Sequence, residues 1–124
     1  MVEAGANVIR LLDQSKFIVD AAFWFYLPDS AQWRLVLASP KVATSGPKHA
    51  YGQVQSVLAQ MPDPRLSLAD VAVVDSDDPL VVLLRRLIRT EMEISGIRLT
   101  RSTVNGVLIE DAHIYRLLGA ADSP

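Results

Sequence analysis

The sequence predicts a single α+β domain with a mixed, largely antiparallel sheet of about five strands and three helices, in the order α-β-β-α-β-α-β-β. Three observations predict it. One pair of apolar, β-type runs joined by a turn-type segment lies near the start of the chain, and a second pair lies near its end. Two stretches with apolar residues at helical spacing lie between the pairs. A short apolar run, Val71 to Val74, separates those two stretches. At 124 residues, 50% of them apolar, the chain can fill one core but is short for two domains, so residues 1–124 are read as one unit.

Residues 3–14 form an amphipathic pattern, with Val8, Leu11 and Leu12 on one stripe and Glu3 at the end that favours an acid. Residues 21–27 (AAFWFYL) and 33–39 (WRLVLAS) flank Pro28-Asp29-Ser30-Ala31, a good hairpin loop. Both runs are apolar on intervening positions too, which predicts a strand pair covered on both faces. Pro40 ends the second run. Thr44-Ser45-Gly46-Pro47 starts the next helix, whose stripe is Ala50, Val54, Val57, Leu58 and Met61, and Met61-Pro62-Asp63-Pro64 stops it. After the Val71–Val74 strand, Ser76-Asp77-Asp78-Pro79 supplies caps for a third helix reaching about Met92, with Leu80, Leu83, Leu84, Leu87 and Ile88 on one side and Ser95-Gly96 closing it. Residues 97–104 and 107 onward flank Asn105-Gly106, the preferred pair for a two-residue hairpin turn. The segment from Glu110 to Leu118 reads as strand through about Tyr115, or as a short helix closed by Gly119.

Composition excludes several classes. There is no cysteine, so disulfides, thiolate nucleophiles and thiolate metal sites are out, and a cytoplasmic location is the expectation. No secretory leader and no membrane-spanning run is readable, so no membrane association is expected. No G-x-S-x-G, H-E-x-x-H, G-x-G-x-x-G, P-loop or E-x-K element occurs, and His49 and His113 are the only histidines. No metal and no cofactor is expected.

The net charge is −2 but unevenly placed: residues 85–101 hold five arginines (Arg85, Arg86, Arg89, Arg98, Arg101) against two glutamates. These arginines are the candidate binding residues. Arg85 and Arg89 would share a helix face, and Arg89 would reach Glu93. Such a set suits phosphate or carboxylate, or is simply a solvated helix end. Nucleic acid is the weaker expectation, because no aromatic and glycine interleaving accompanies the arginines.

The Asn105-Gly106 turn predicts a register with Val104 opposite Val107, Arg101 opposite Glu110 and Arg98 opposite His113. Strict alternation then puts Arg98, Thr100, Asp111 and His113 on one face, and Ile97, Leu99, Ala112 and Ile114 on the other with Arg101 and Glu110. Asp111 and His113 are the catalytic candidates, with Arg98 as anion holder. The competing reading is ordinary cross-strand pairing on a solvated face. Asp75, Asp77 and Asp78 could hold magnesium but are explained as helix caps. Thr44 to His49 could hold an anion at a helix start, with capping the better account. Asp20, if buried, needs a partner. The second helix has an uncharged outer face of Gln53, Gln55, Ser56 and Gln60, which is less costly to cover with another protein.

The runs Phe23-Trp24-Phe25-Tyr26, Trp33 to Pro40 and Ile109 to Arg116 are similar in style to small bacterial proteins, a resemblance that implies no activity. The leading expectation is a non-catalytic interaction module, a homodimer or a subunit of a bacterial assembly. The alternatives are a small hydrolase or phosphate-ester enzyme using Asp111 and His113 with Arg98, and a phosphate or nucleic-acid binder using Arg85 to Arg101.

Overall fold

A computed structural model of the chain describes residues 2–61 and 66–118. The elements are α1 (Val2–Gln14), β1 (Ala21–Leu27), β2 (Gln32–Ala38), α2 (Lys41–Ser45), α3 (Pro47–Gln60), β3 (Val71–Val74), α4 (Pro79–Leu87), β4 (Ile97–Val104) and β5 (Val107–Leu117), with a 3-10 turn at Leu68–Asp70. The predicted α+β order is present. The sheet has five strands in the order β3-β2-β1-β5-β4, and it is antiparallel except where β2 and β3 run parallel. Pro62-Asp63-Pro64 and Gly119 lie outside the described residues.

Two apolar layers sandwich the sheet. On one face, α1 and α3 bring Val8, Ile9, Leu12, Ala50, Val54 and Val57 down on Ala22, Trp24, Leu35, Leu37, Val71 and Val73. On the other, α4 contributes Val81 and Leu84 over Ala21, Phe23, Val36, Ala38, Ile114 and Leu117. β1 and β2 are therefore covered on both sides, as their near-continuous apolar sequences require. Tyr51 of α3 accepts a bond from the backbone N–H of Val73 at 3.0 Å, which occupies a donor of the edge strand β3.

Local chemistry accounts for most boundaries. Asn105 and Gly106 have φ of 48° and 80°, the left-handed pair that a two-residue hairpin turn needs. Asp78 accepts from the N–H of Leu80 at 3.1 Å and Pro79 follows it, so α4 starts where the acids predict. Three expectations are corrected. A fourth helix, the short α2, forms directly after Pro40, whose own backbone is already helical at φ −64°. At α3 no side chain caps the start, so capping does not account for Thr44 to His49; Pro47 instead fills the first turn.

The third correction is larger. α4 ends at Leu87 rather than near Met92, and Ile88 is extended. The cause is tertiary: the N–H of Thr90 donates to Leu117 O at 2.7 Å, and the N–H of Leu117 donates to Thr90 Oγ1 at 2.7 Å. Ser95 donates to Tyr115 O in the same way. The segment after α4 thus lies along β5 beyond the end of β4, supplying bonds a continuing helix would have kept to itself.

β5 also runs two residues further than predicted, to Leu117, and carries a bulge. Phe23 pairs with Ile114 but Ala22 pairs with Arg116, so Tyr115 is an extra residue. Alternation would send Arg116 to the α4 side. The bulge sends both Tyr115 and Arg116 toward α1. Trp24 Nε1 donates to Tyr115 Oη at 3.0 Å, and Tyr115 Oη donates to Val2 O. Gly5 permits this approach: a Cβ there would lie 2.5 Å from Tyr115 Oη and 2.7 Å from Trp24 Nε1. Arg116, only 1% exposed, forms a two-pronged pair with Asp13 at 2.8 and 3.0 Å and donates to the carbonyls of Val19 and Met92.

Candidate functional site

Arg98 lies opposite His113, and Val104 opposite Val107, in the predicted register. The hydrogen bonds, however, run diagonally. Arg98 Nε and Nη2 donate to the two carboxylate oxygens of Asp111, both at 2.5 Å. The guanidinium carbon also sits 5.8 Å from the centroid of Trp33, whose ring lies 5.3 Å from that of Tyr26. The Arg98 hydrogen bond and charge hold the Asp111 carboxyl below the usual carboxylate range. A carboxylate held this way is a poor base.

No hydrogen bond joins Asp111 to His113. The His113 ring packs edge-on against Tyr115, centroids 4.9 Å apart, and partial burial together with the Arg98 charge pushes its proton affinity down. His113 is therefore neutral at pH 7, without the carboxylate neighbour that would orient or activate it. The structure brings Arg98, Asp111 and His113 to one side of the sheet but closes two of them into a pair.

Arg101 departs from the expected alternation. Its φ is 45°, and the ladder passes from Thr100–Asp111 to Ser102–Ile109 without it. Leu99 and Val104, five residues apart, consequently pack toward the same α4-side core, as do Ile109 and Ala112. Arg101 and Glu110 come round to join Thr100, Asp111, Tyr26 and Trp33 in a cleft of about 420 Å³. Their ion pair is 3.7 Å long and Arg101 is 85% exposed, so it holds little.

The five candidate arginines do not form one surface. Arg98 and Arg101 belong to this cleft, on the α1–α3 side. Arg85 and Arg86 belong to α4, on the opposite side. Arg89 follows the end of α4, so it neither shares a helix face with Arg85 nor stands one helical turn from Glu93. The acids at the other end of α4 act as capping and turn residues: Asp78 caps the helix, and Asp75 Oδ1 accepts from the N–H of Ser76 at 2.9 Å. Asp20 is buried, and its partner is the Ser76 hydroxyl, which donates to Oδ2. Among the described residues no group of acids or histidines could hold a metal ion, and no helix is long and apolar enough to cross a membrane.

Sequence reasoning missed the surface of α4. Its sequence, PLVVLLRRL, is apolar all round except at its arginines, and such a helix is normally covered on every side. The predicted stripe is corrected: Val81 and Leu84 are buried with Leu80 and Ile88 packed beside them, whereas Leu83 and Leu87 turn away from the core because the inner side of so short a helix takes only part of its apolar set. The outward stripe is Pro79, Val82, Leu83 and Arg86, and Leu87 on its flank is 50% exposed. A nine-residue helix is marginal alone, so α4 exists because its inner side packs. The signal that could have found this surface was the run of five apolar residues, Leu80 to Leu84, which one helix face cannot absorb.

No family model matches the chain, and neither a curated protein nor a solved structure is significantly similar to it.

Proposed function

We propose that this chain is a non-catalytic protein-interaction module, a subunit of a larger assembly, with the outward side of α4 as its contact surface. The observation that carries this reading is the outward apolar stripe of half-buried Val82 and Leu83 beside the half-exposed Leu87, on a helix whose inner side packs through Val81 and Leu84. The neutral outer face of α3 is a lesser candidate, because Ser56 turns its hydroxyl back to Gly52 O and Ala59 is the largest apolar side chain exposed there among the described residues. A cytoplasmic location belongs to the same proposal and fits a chain without cysteine. The enzyme alternative through Asp111, His113 and Arg98 has less support, since Arg98 occupies both oxygens of Asp111. Phosphate or nucleic-acid binding has less support too, since the arginines divide between two sides of the sheet.

Cross-linking at native expression level in the host organism, followed by size-exclusion chromatography, tests the reading. The natural chain is expected in a species above single-chain mass, and Leu83→Arg is expected to return it to single-chain mass with unchanged circular dichroism. A lone natural chain, or a Leu83→Arg chain that keeps its complex, overturns it.

A further inference from the structure

The contact surface proposed above has a charge pattern that selects its occupant. Asp75, Asp77 and Asp78 stand at the N-terminal end of α4, and Arg85, Arg86 and Arg89 at its C-terminal end. Between them lies the apolar stripe. Nine helical residues span about 13 Å, so the acidic and basic ends are separated by roughly the reach of one interhelical contact. A surface that is negative at one end, apolar in the middle and positive at the other is complementary to itself when turned through half a revolution.

We propose that α4 docks against α4 of a second copy of this chain, antiparallel about a two-fold axis near Val82 and Leu83. Arg86 of each copy passes Pro79 of the other to reach Asp77, and Val82 and Leu83 fill the middle. The proposal rests on the reading of α4 as the contact surface.

Several local features support this occupant over a foreign one. Asp77 and Arg86 are both exposed and neither packs into the core. The hydrogen bond and charge of Asp75 hold the Asp77 carboxyl above its ordinary range, a crowding that an incoming guanidinium would relieve. Parallel docking would set acids on acids and arginines on arginines, so the charges also choose the orientation.

Sedimentation velocity on the purified chain at up to about 200 µM, where small interfaces associate, reads the proposal directly. The natural chain is expected to dimerise. Asp77→Lys and Arg86→Glu are each expected to weaken association about tenfold or more, because each sets like charges together at both ends. The double variant is expected to dimerise again, and an equimolar mixture of the two single variants is expected to form a heterodimer, since every contact is then opposite in sign. Recovery in both cases also shows that the single variants are folded. A natural chain that stays monomeric overturns the proposal. So does a double variant that stays monomeric while the natural chain pairs. If the purified chain is monomeric but its complex in the host still depends on Leu83, the occupant is a different protein, and only the self-docking proposal falls.

Discussion

The α1–α3 side and the α4 side of the sheet solve the same problem unequally. One side is covered by helices of 13 and 14 residues, the other by a helix of 9. The first side also carries a set of linked polar groups: Trp24 with Tyr115 and Val2, and Arg116, through both terminal nitrogens but not its buried Nε, with Asp13, Val19 and Met92. Among the described residues the second side has no such lock. Its helix holds on through Val81 and Leu84 and leaves apolar side chains facing out. A face sealed by directional bonds is finished within the chain. A face covered by one short apolar helix keeps apolar surface in contact with water, as Leu87 shows.

The largest expected effect tests the sealed side. Arg116→Ala removes the buried member of its pair with the partly exposed Asp13 and strips the bonds from the carbonyls of Val19 and Met92. Urea unfolding is expected to show a loss of about 3–5 kcal/mol, from two carbonyls left without donors and from the space the side chain filled. A loss under about 1 kcal/mol would mean that packing alone holds that face.

The next test sets the two sides of α4 against each other. Leu84→Ala is expected to cost about 2–4 kcal/mol through lost burial and a cavity. Leu83→Ala, measured in dilute protein, is expected to cost under about 1 kcal/mol. Equal costs would show that Leu83 is a core residue and remove the contact surface.

The smallest effect concerns His113. Its folded-state proton affinity lies below the ordinary value of 6.5, through burial first and the Arg98 charge second. Protonation therefore favours the unfolded chain. This contribution to stability is complete above about pH 6.5 and is lost as pH falls through the lower, folded value. Thermal midpoints between pH 7 and pH 5 are expected to fall less steeply for His113→Gln than for the natural chain. Identical slopes would place His113 in open solvent.

Much of this architecture could be read from residue order. Asn105-Gly106 specified its turn through backbone geometry alone, and Asp78-Pro79 specified the start of α4 through capping. Both are local effects, complete within a few residues. What could not be read depends on distant partners. α4 stops early because Thr90 finds Leu117. Arg116 turns inward because β5 gains a residue opposite β1. The candidate cluster divides the same way. The register placed Arg98 opposite His113, but the diagonal bond to Asp111 comes from the three-dimensional course of the hairpin. Arg101, with its left-handed backbone, breaks an alternation that no propensity scale marks. On α4, helical spacing grouped Leu83 and Leu87 with Leu84, but in a run apolar at nearly every position several stripes fit equally well, and packing chose Val81 and Leu84.

The clasp between Tyr115 and Val2 has a consequence for synthesis. The two residues are 113 positions apart. The ribosome releases α1 long before it makes β5, so Val8, Ile9 and Leu12 meet β1, β2 and α3 first, while Val2 and Asp13 wait for Tyr115 and Arg116. Closing that clasp therefore belongs among the last events on the way to the native state.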